Sequence, residues 1–185
     1  MFKLSNDTFF DVLAEYPAYV VDYCLMKDDA PYRGEASHRE AIAFAMESFC
    51  AADEDEGPIW TFDASRATAK EITAAELLAL PPQSRKHTEA QMDGTEATFY
   101  DSPSDVLPYW RAFLMPPHGG CTEAGFARLN AALFPQGTDG LTVFAWSTDW
   151  SDYFDDGHEW WGASCWSVYD AKTERYVVIM ASATD

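Results

Sequence analysis

Residues 149–161, DWSDYFDDGHEWW, hold the densest set of side chains in this chain that could do chemistry. Four aspartates (Asp149, Asp152, Asp155, Asp156), Glu159 and His158 sit among Trp150, Trp160, Trp161, Tyr153 and Phe154, with no lysine or arginine between them. Three chemistries use such residues. The first is a metal site. Calcium takes roughly six to eight oxygens from a closely wound loop, but acids at 149, 152, 155, 156 and 159 do not follow the alternate spacing of an EF-hand. Asp155, Asp156, His158 and Glu159 remain a local alternative ligand set, with Gly157 permitting a tight turn. No HExxH accompanies them. The second is paired-carboxylate catalysis, in which two acids flank a glycosidic bond and tryptophans line the sugar site. The third is protein recognition. Aromatic side chains anchor interfaces, and surrounding carboxylates steer a basic partner. On this reading the contact residues are Asp149, Trp150, Asp152, Tyr153, Asp155, Asp156, Glu159, Trp160 and Trp161.

A second candidate is PPHGGCTEAGF, residues 116–126. Cys121 directly precedes a helix start at Thr122, and a helix N-terminus favours a thiolate. His118 lies three positions earlier across two glycines. Together they supply the parts of a Cys–His nucleophile with backbone N–H groups for an oxyanion. The opposing reading is ordinary loop punctuation between two helices, with Cys121 as a small buried hydrophobe. His38 reads as a surface helix residue and His87 as part of a polar loop. No Walker loop, GxGxxG or GxSxG is present, and no cofactor is predicted.

The elements that must position these residues divide the chain. Ser5 to Glu15 carries Phe9, Phe10, Val12 and Leu13 at helical spacing. Tyr19 to Met26 is a short apolar run that suits a strand or an extended helix. Ser37 with Glu40 has the form of a capping box, opening a helix with Ile42, Ala45, Met46 and Phe49 on one face. An acidic loop follows at 51–58, and Ile59 to Asp63 alternates like a strand. Thr73 with Glu76 forms a second capping box. Asp93-Gly94 suits a hairpin turn. Asp105 to Leu114 reads as a helix with Pro108 in its first turn. Thr122 caps a helix that buries Phe126, Leu129 and Leu133. The last third changes period. Residues 140–148, 163–169 and 175–181 read as strands, and the last two flank a five-residue turn. The strand RYVVIMA is apolar on both faces, which predicts a place inside the sheet under helices. The predicted fold is one α+β domain over residues 1–185, with several helices packed on an antiparallel sheet completed by a C-terminal β-hairpin.

Bulk composition bounds the function. The chain has 185 residues, 48% hydrophobic and 15% aromatic, enough for a real core. Its 31 acids against 12 bases give a net charge of −19. That charge repels nucleic acid and anionic membranes, and it favours a basic partner. The start of the chain lacks the apolar run of a signal peptide, and no window approaches the ~20 apolar residues of a membrane helix. Four cysteines without a CxxC pair read as free thiols of a cytoplasmic protein. In size, charge and aromatic content the chain resembles bacterial immunity proteins, a likeness of composition that no residue-level motif carries. The expectation is a non-enzymatic binding domain that neutralises a basic protein such as a nuclease. The alternative is a small hydrolase using Cys121 and His118 or the metal set above.

Overall fold

The computed structural model describes residues 1–16, 20–51, 60–83, 86–90, 96–100, 107–116, 121–159 and 161–183. Its centre is a six-stranded sheet built from β1 (Phe2–Lys3), β2 (Val21–Lys27), β3 (Ala69–Ile72), β6 (Leu141–Trp146), β7 (Ala163–Asp170) and β8 (Arg175–Ser182). The order is β1-β2-β8-β7-β6-β3, and every neighbouring pair is antiparallel. β7 and β8 form the expected C-terminal hairpin. Asp170 organises its turn by accepting from Lys172 N (2.9 Å) and Thr173 Oγ1 (2.8 Å). A separate two-stranded ladder pairs β4 (Lys86–Ala90) with β5 (Glu96–Tyr100). The Asp93-Gly94 turn expected between them lies outside the described residues, as do Ile59 and most of the acidic loop before it.

β8 sits inside the sheet because both of its faces are apolar. Tyr176, Val178 and Met180 point to one side, and Val177, Ile179 and Ala181 to the other. The first side is covered by α2 (Glu35–Cys50) through Ala41, Ile42, Ala45 and Met46, and by the aromatic residues of segment 149–159. The second is covered by α1 (Phe9–Leu13), α4 (Tyr109–Leu114) and α5 (Glu123–Leu133). Burying a leucine- or isoleucine-sized side chain completely is worth about 1.5–3 kcal/mol, so these two cores hold the helices on the sheet.

Local signals place several boundaries. Thr73 caps α3 (Ala74–Leu77) in a full capping box, and Thr122 caps α5 by accepting from Gly125 N (3.0 Å). Other expectations are corrected. The Ser37–Glu40 capping box does not form. α2 starts one turn earlier, after Gly34 at φ 64°, a left-handed conformation that glycine adopts without a Cβ clash. Ser37 Oγ instead accepts from Arg33 N (2.9 Å), and Glu40 pairs with Arg33. Of the strand expected at Ile59–Asp63, the described part, residues 60–63, forms a single bridge, Phe62 with Ser151. Pro108 is the N-cap of α4 rather than a residue of its first turn. The sheet also reaches into the first half of the chain, where β1 and β3 are too short to give a period-2 signal.

Candidate functional site

Segment 149–159 is not an open loop. Ser151 accepts from Tyr153 N (3.2 Å) and starts a 3-10 turn, Asp152–Phe154, which runs into α6 (Asp155–Glu159). Trp150, Tyr153, Phe154 and Gly157 face inward, at i, i+3, i+4 and i+7, the spacing of one helical face. Gly157 is required by the close fit, because a Cβ there would lie 2.5 Å from the Gly162 carbonyl oxygen. Its N–H donates to Ser182 Oγ (3.1 Å), which docks α6 on the end of β8.

This docking corrects the expected contact surface. Trp150 is 1% exposed and Tyr153 is 8% exposed, so both belong to the core and neither can anchor a partner. Trp150 packs edge-on against Phe154, and Tyr153 against Trp60. The Tyr153 hydroxyl donates to Asp22 Oδ2 (2.7 Å), tying the segment to β2. Burial raises the Asp22 carboxyl above its ordinary range, with the Tyr153 bond opposing the shift. Trp161 is half-buried and donates to the Met115 carbonyl (3.0 Å). Trp160 lies outside the described residues.

The carboxylates turn the other way. Asp149, Asp152, Asp155, Asp156 and Glu159 are exposed, with His158 held by Thr148 Oγ1 (2.7 Å). Segment 60–66 runs beside them. Thr61 donates its N–H (2.8 Å) and hydroxyl (2.7 Å) to Asp152, and Asp63 N donates to the Trp150 carbonyl (2.8 Å). The two segments frame a groove of about 420 Å³ lined by Asp63, Asp149, Asp152, Asp155 and one cation, Arg66. Hydrogen bonds from Ser65 hold Asp63 below the usual carboxylate range, and a bond from Ser147 does the same for Asp149. Both stay ionised, the opposite of what a general acid requires. Asp63, Thr61 and Arg66 were not legible as partners of 149–159, because the pairing spans a sequence gap that no local pattern bridges.

The alternative metal set does not assemble. Among the described residues no three His, Cys, Asp or Glu side chains are placed to hold an ion. Adjacent helical residues such as Asp155 and Asp156 diverge around the axis, and His158 is turned to Thr148. The thiol alternative also loses its driving force. Cys121 is half-buried, and desolvation pushes its thiol up rather than down. His118 lies outside the described residues. Cys121 will therefore react with iodoacetamide at pH 7 no faster than a free model thiol; faster alkylation, read by mass spectrometry, would restore a thiolate at this position.

His38, expected on the surface, is fully buried against the sheet. Its Nδ1 lies 2.8 Å from Ser167 Oγ and its Nε2 lies 3.1 Å from the Tyr32 hydroxyl. Trp146 Nε1 donates to the same Ser167 Oγ (2.8 Å). The tautomer in which Ser167 donates into Nδ1 and Nε2–H donates to Tyr32 pairs both ring nitrogens. Burial pushes the imidazole down to about 4, against a smaller opposing contribution from the Ser167 backbone, so His38 is neutral at pH 7. Ser167 is itself fully buried, which rules it out as an accessible nucleophile.

No protein-family model matches the chain, and no curated protein or solved structure is significantly similar to it. Among the described residues no helix is long and apolar enough to cross a membrane.

Proposed function

We propose that the protein is a non-enzymatic binding protein of the cytoplasm whose acidic groove receives a basic protein. Neutralisation of a basic enzyme such as a nuclease is the concrete form. The observation that carries this reading is the convergence of Asp63, Asp149, Asp152 and Asp155 on one groove with Arg66 as its cation, in a chain of net charge −19. Such a face accelerates encounter with a basic surface and discriminates against acidic ones. Asp156 and Glu159, exposed on α6, add to the negative charge around it. The aromatic residues take a different part from the one read in the sequence. Trp150, Tyr153 and Phe154 fix the carboxylates in place from beneath, and the contact is made by charge.

The test is a pull-down from extract of the native cell with the immobilised protein, followed by titration of the captured protein in purified form. Wild type should capture a basic protein whose affinity falls at least tenfold between 50 and 200 mM salt, as several released ion pairs demand. Asp149→Lys with Asp155→Lys should abolish capture, while Glu47→Lys at an exposed position of α2 leaves it intact. Capture that survives the double reversal, or an acidic captured protein, overturns the reading.

A further inference from the structure

The sheet carries a second feature at its β3 edge, on the face away from α2. Cross-strand register places Lys70 opposite Ala145, and Ala145 opposite Trp166, so the three stand in one row over β3, β6 and β7. Adjacent strands lie about 4.8 Å apart, which puts roughly 10 Å between the backbones of Lys70 and Trp166. Alanine between two large residues leaves a hollow. The next row, Ile72, Val143 and Val168, is filled. Leu77 of α3 and Leu107 with Tyr109 at the start of α4 complete the walls, and the described residues enclose about 440 Å³. That is the size of a small-molecule site, with mainly apolar walls and a few polar groups.

Two of those polar groups make no hydrogen bond or ion pair among the described residues. Trp166 is 6% exposed, yet its indole N–H has no partner among the described residues. Lys70 forms no ion pair among them, in a chain where acids outnumber bases 31 to 12. Glu76 on the same rim accepts from the Thr73 N–H (2.7 Å) and hydroxyl (2.8 Å), which hold its carboxyl below the usual range, and Lys70 adds a smaller long-range contribution without forming an ion pair with it. Tyr109, by contrast, is already satisfied by Tyr23 and Asn130.

We propose that this hollow binds a flat, apolar small molecule carrying one anionic group. The body lies over Ala145 against Trp166, Ile72 and Leu77, and the anion is held by Lys70. The apolar walls supply the affinity, since the net charge of the chain opposes an anion at long range. Lys70 sets the orientation. This site is separate from the acidic groove and does not depend on it.

Anilinonaphthalene sulfonate and its uncharged analogue N-phenyl-1-naphthylamine test the proposal by fluorescence titration of the native protein at pH 7. Both should saturate at one site per chain. Lys70→Gln, an exposed change that leaves the fold intact, should weaken the sulfonate at least fivefold and the neutral analogue less than twofold. Ala145→Phe should remove both, with far-UV circular dichroism unchanged. Equal effects of Lys70→Gln on the two probes, no effect on either, or unsaturable binding overturns the assignment. Should Ala145→Phe disturb the fold, the contrast between the two probes in Lys70→Gln decides alone.

Discussion

Asp7→Ala will lower the free energy of unfolding by about 3–5 kcal/mol. Arg175, at the start of β8, is 4% exposed and lies under α1 and α5. Its guanidinium donates to Asp7 Oδ2 (2.7 Å) and to the Leu133 carbonyl at the end of α5. Nε has no partner among the described residues, and Asp7 is the acid paired with the guanidinium among them. Asp7 Oδ1 also accepts from Phe9 N (2.9 Å) at the start of α1. Removing the carboxylate strands a buried cation and unties α1 from the sheet. Replacing both partners behaves differently, because an apolar pair carries no stranded charge. Asp7→Ala with Arg175→Met should recover at least half of the loss. Urea unfolding followed by tryptophan fluorescence and circular dichroism checks both values. A cost below about 1 kcal/mol for Asp7→Ala would mean that water reaches the guanidinium and that this bridge is no stronger than a surface pair.

Acidification from pH 6.5 to 4 will cost the fold about 3 kcal/mol through His38 alone. The unfolded histidine takes up its proton near 6.5 and the folded one near 4. In that window the unfolded state binds more protons, so stability falls as pH falls. Asp22 acts with the opposite sign. Its folded carboxyl is raised, so its contribution is present at low pH and lost as pH rises through the folded value. The two separate cleanly in a difference measurement. His38→Leu loses the Ser167 and Tyr32 contacts at every pH, and it also removes the titration. Its deficit relative to wild type should therefore shrink by about 3 kcal/mol between pH 7 and pH 4, read from urea midpoints at four pH values. A deficit that does not change with pH would show that His38 is hydrated in the native state. Asp22→Asn, measured alongside, should gain on wild type at neutral pH and converge with it at low pH.

Much of this architecture is legible from short stretches. Thr73 with Glu76 and Thr122 with Gly125 are contacts within four residues, and their caps form as the spacing requires. RYVVIMA is apolar on both faces, and β8 is covered on both. The turn at 170–174 closes a hairpin whose two strands adjoin in sequence. Segment 149–157 also carried a readable pattern. Trp150, Tyr153, Phe154 and Gly157 repeat at helical spacing, which is the signal of a buried face beneath exposed carboxylates. It was obscured because the flanking strands suggest a loop, and aromatic residues beside acids suit an interface equally well. The Ser37–Glu40 pattern misleads for the opposite reason. Its residues fit a cap, but Gly34 starts the helix earlier, and Ser37 and His38 are then carried into the core.

Composition and local spacing, by themselves, determined an acidic α+β protein with a central C-terminal strand, its helix caps and the crowding of carboxylates near its end. These follow from forces acting between near neighbours and from the charge sum, which needs no structure. Only the tertiary structure decided the strand order β1-β2-β8-β7-β6-β3, the pairing of His38 with Ser167 across 129 residues, and the meeting of Thr61 and Asp63 with segment 149–155. It alone joined the Tyr153 hydroxyl to Asp22 across 131 residues, and it alone set Lys70, Ala145 and Trp166 in one row. Each of these depends on the register of strands far apart in the chain. A shift of one residue would turn every side chain to the other face, and local sequence carries no record of that choice.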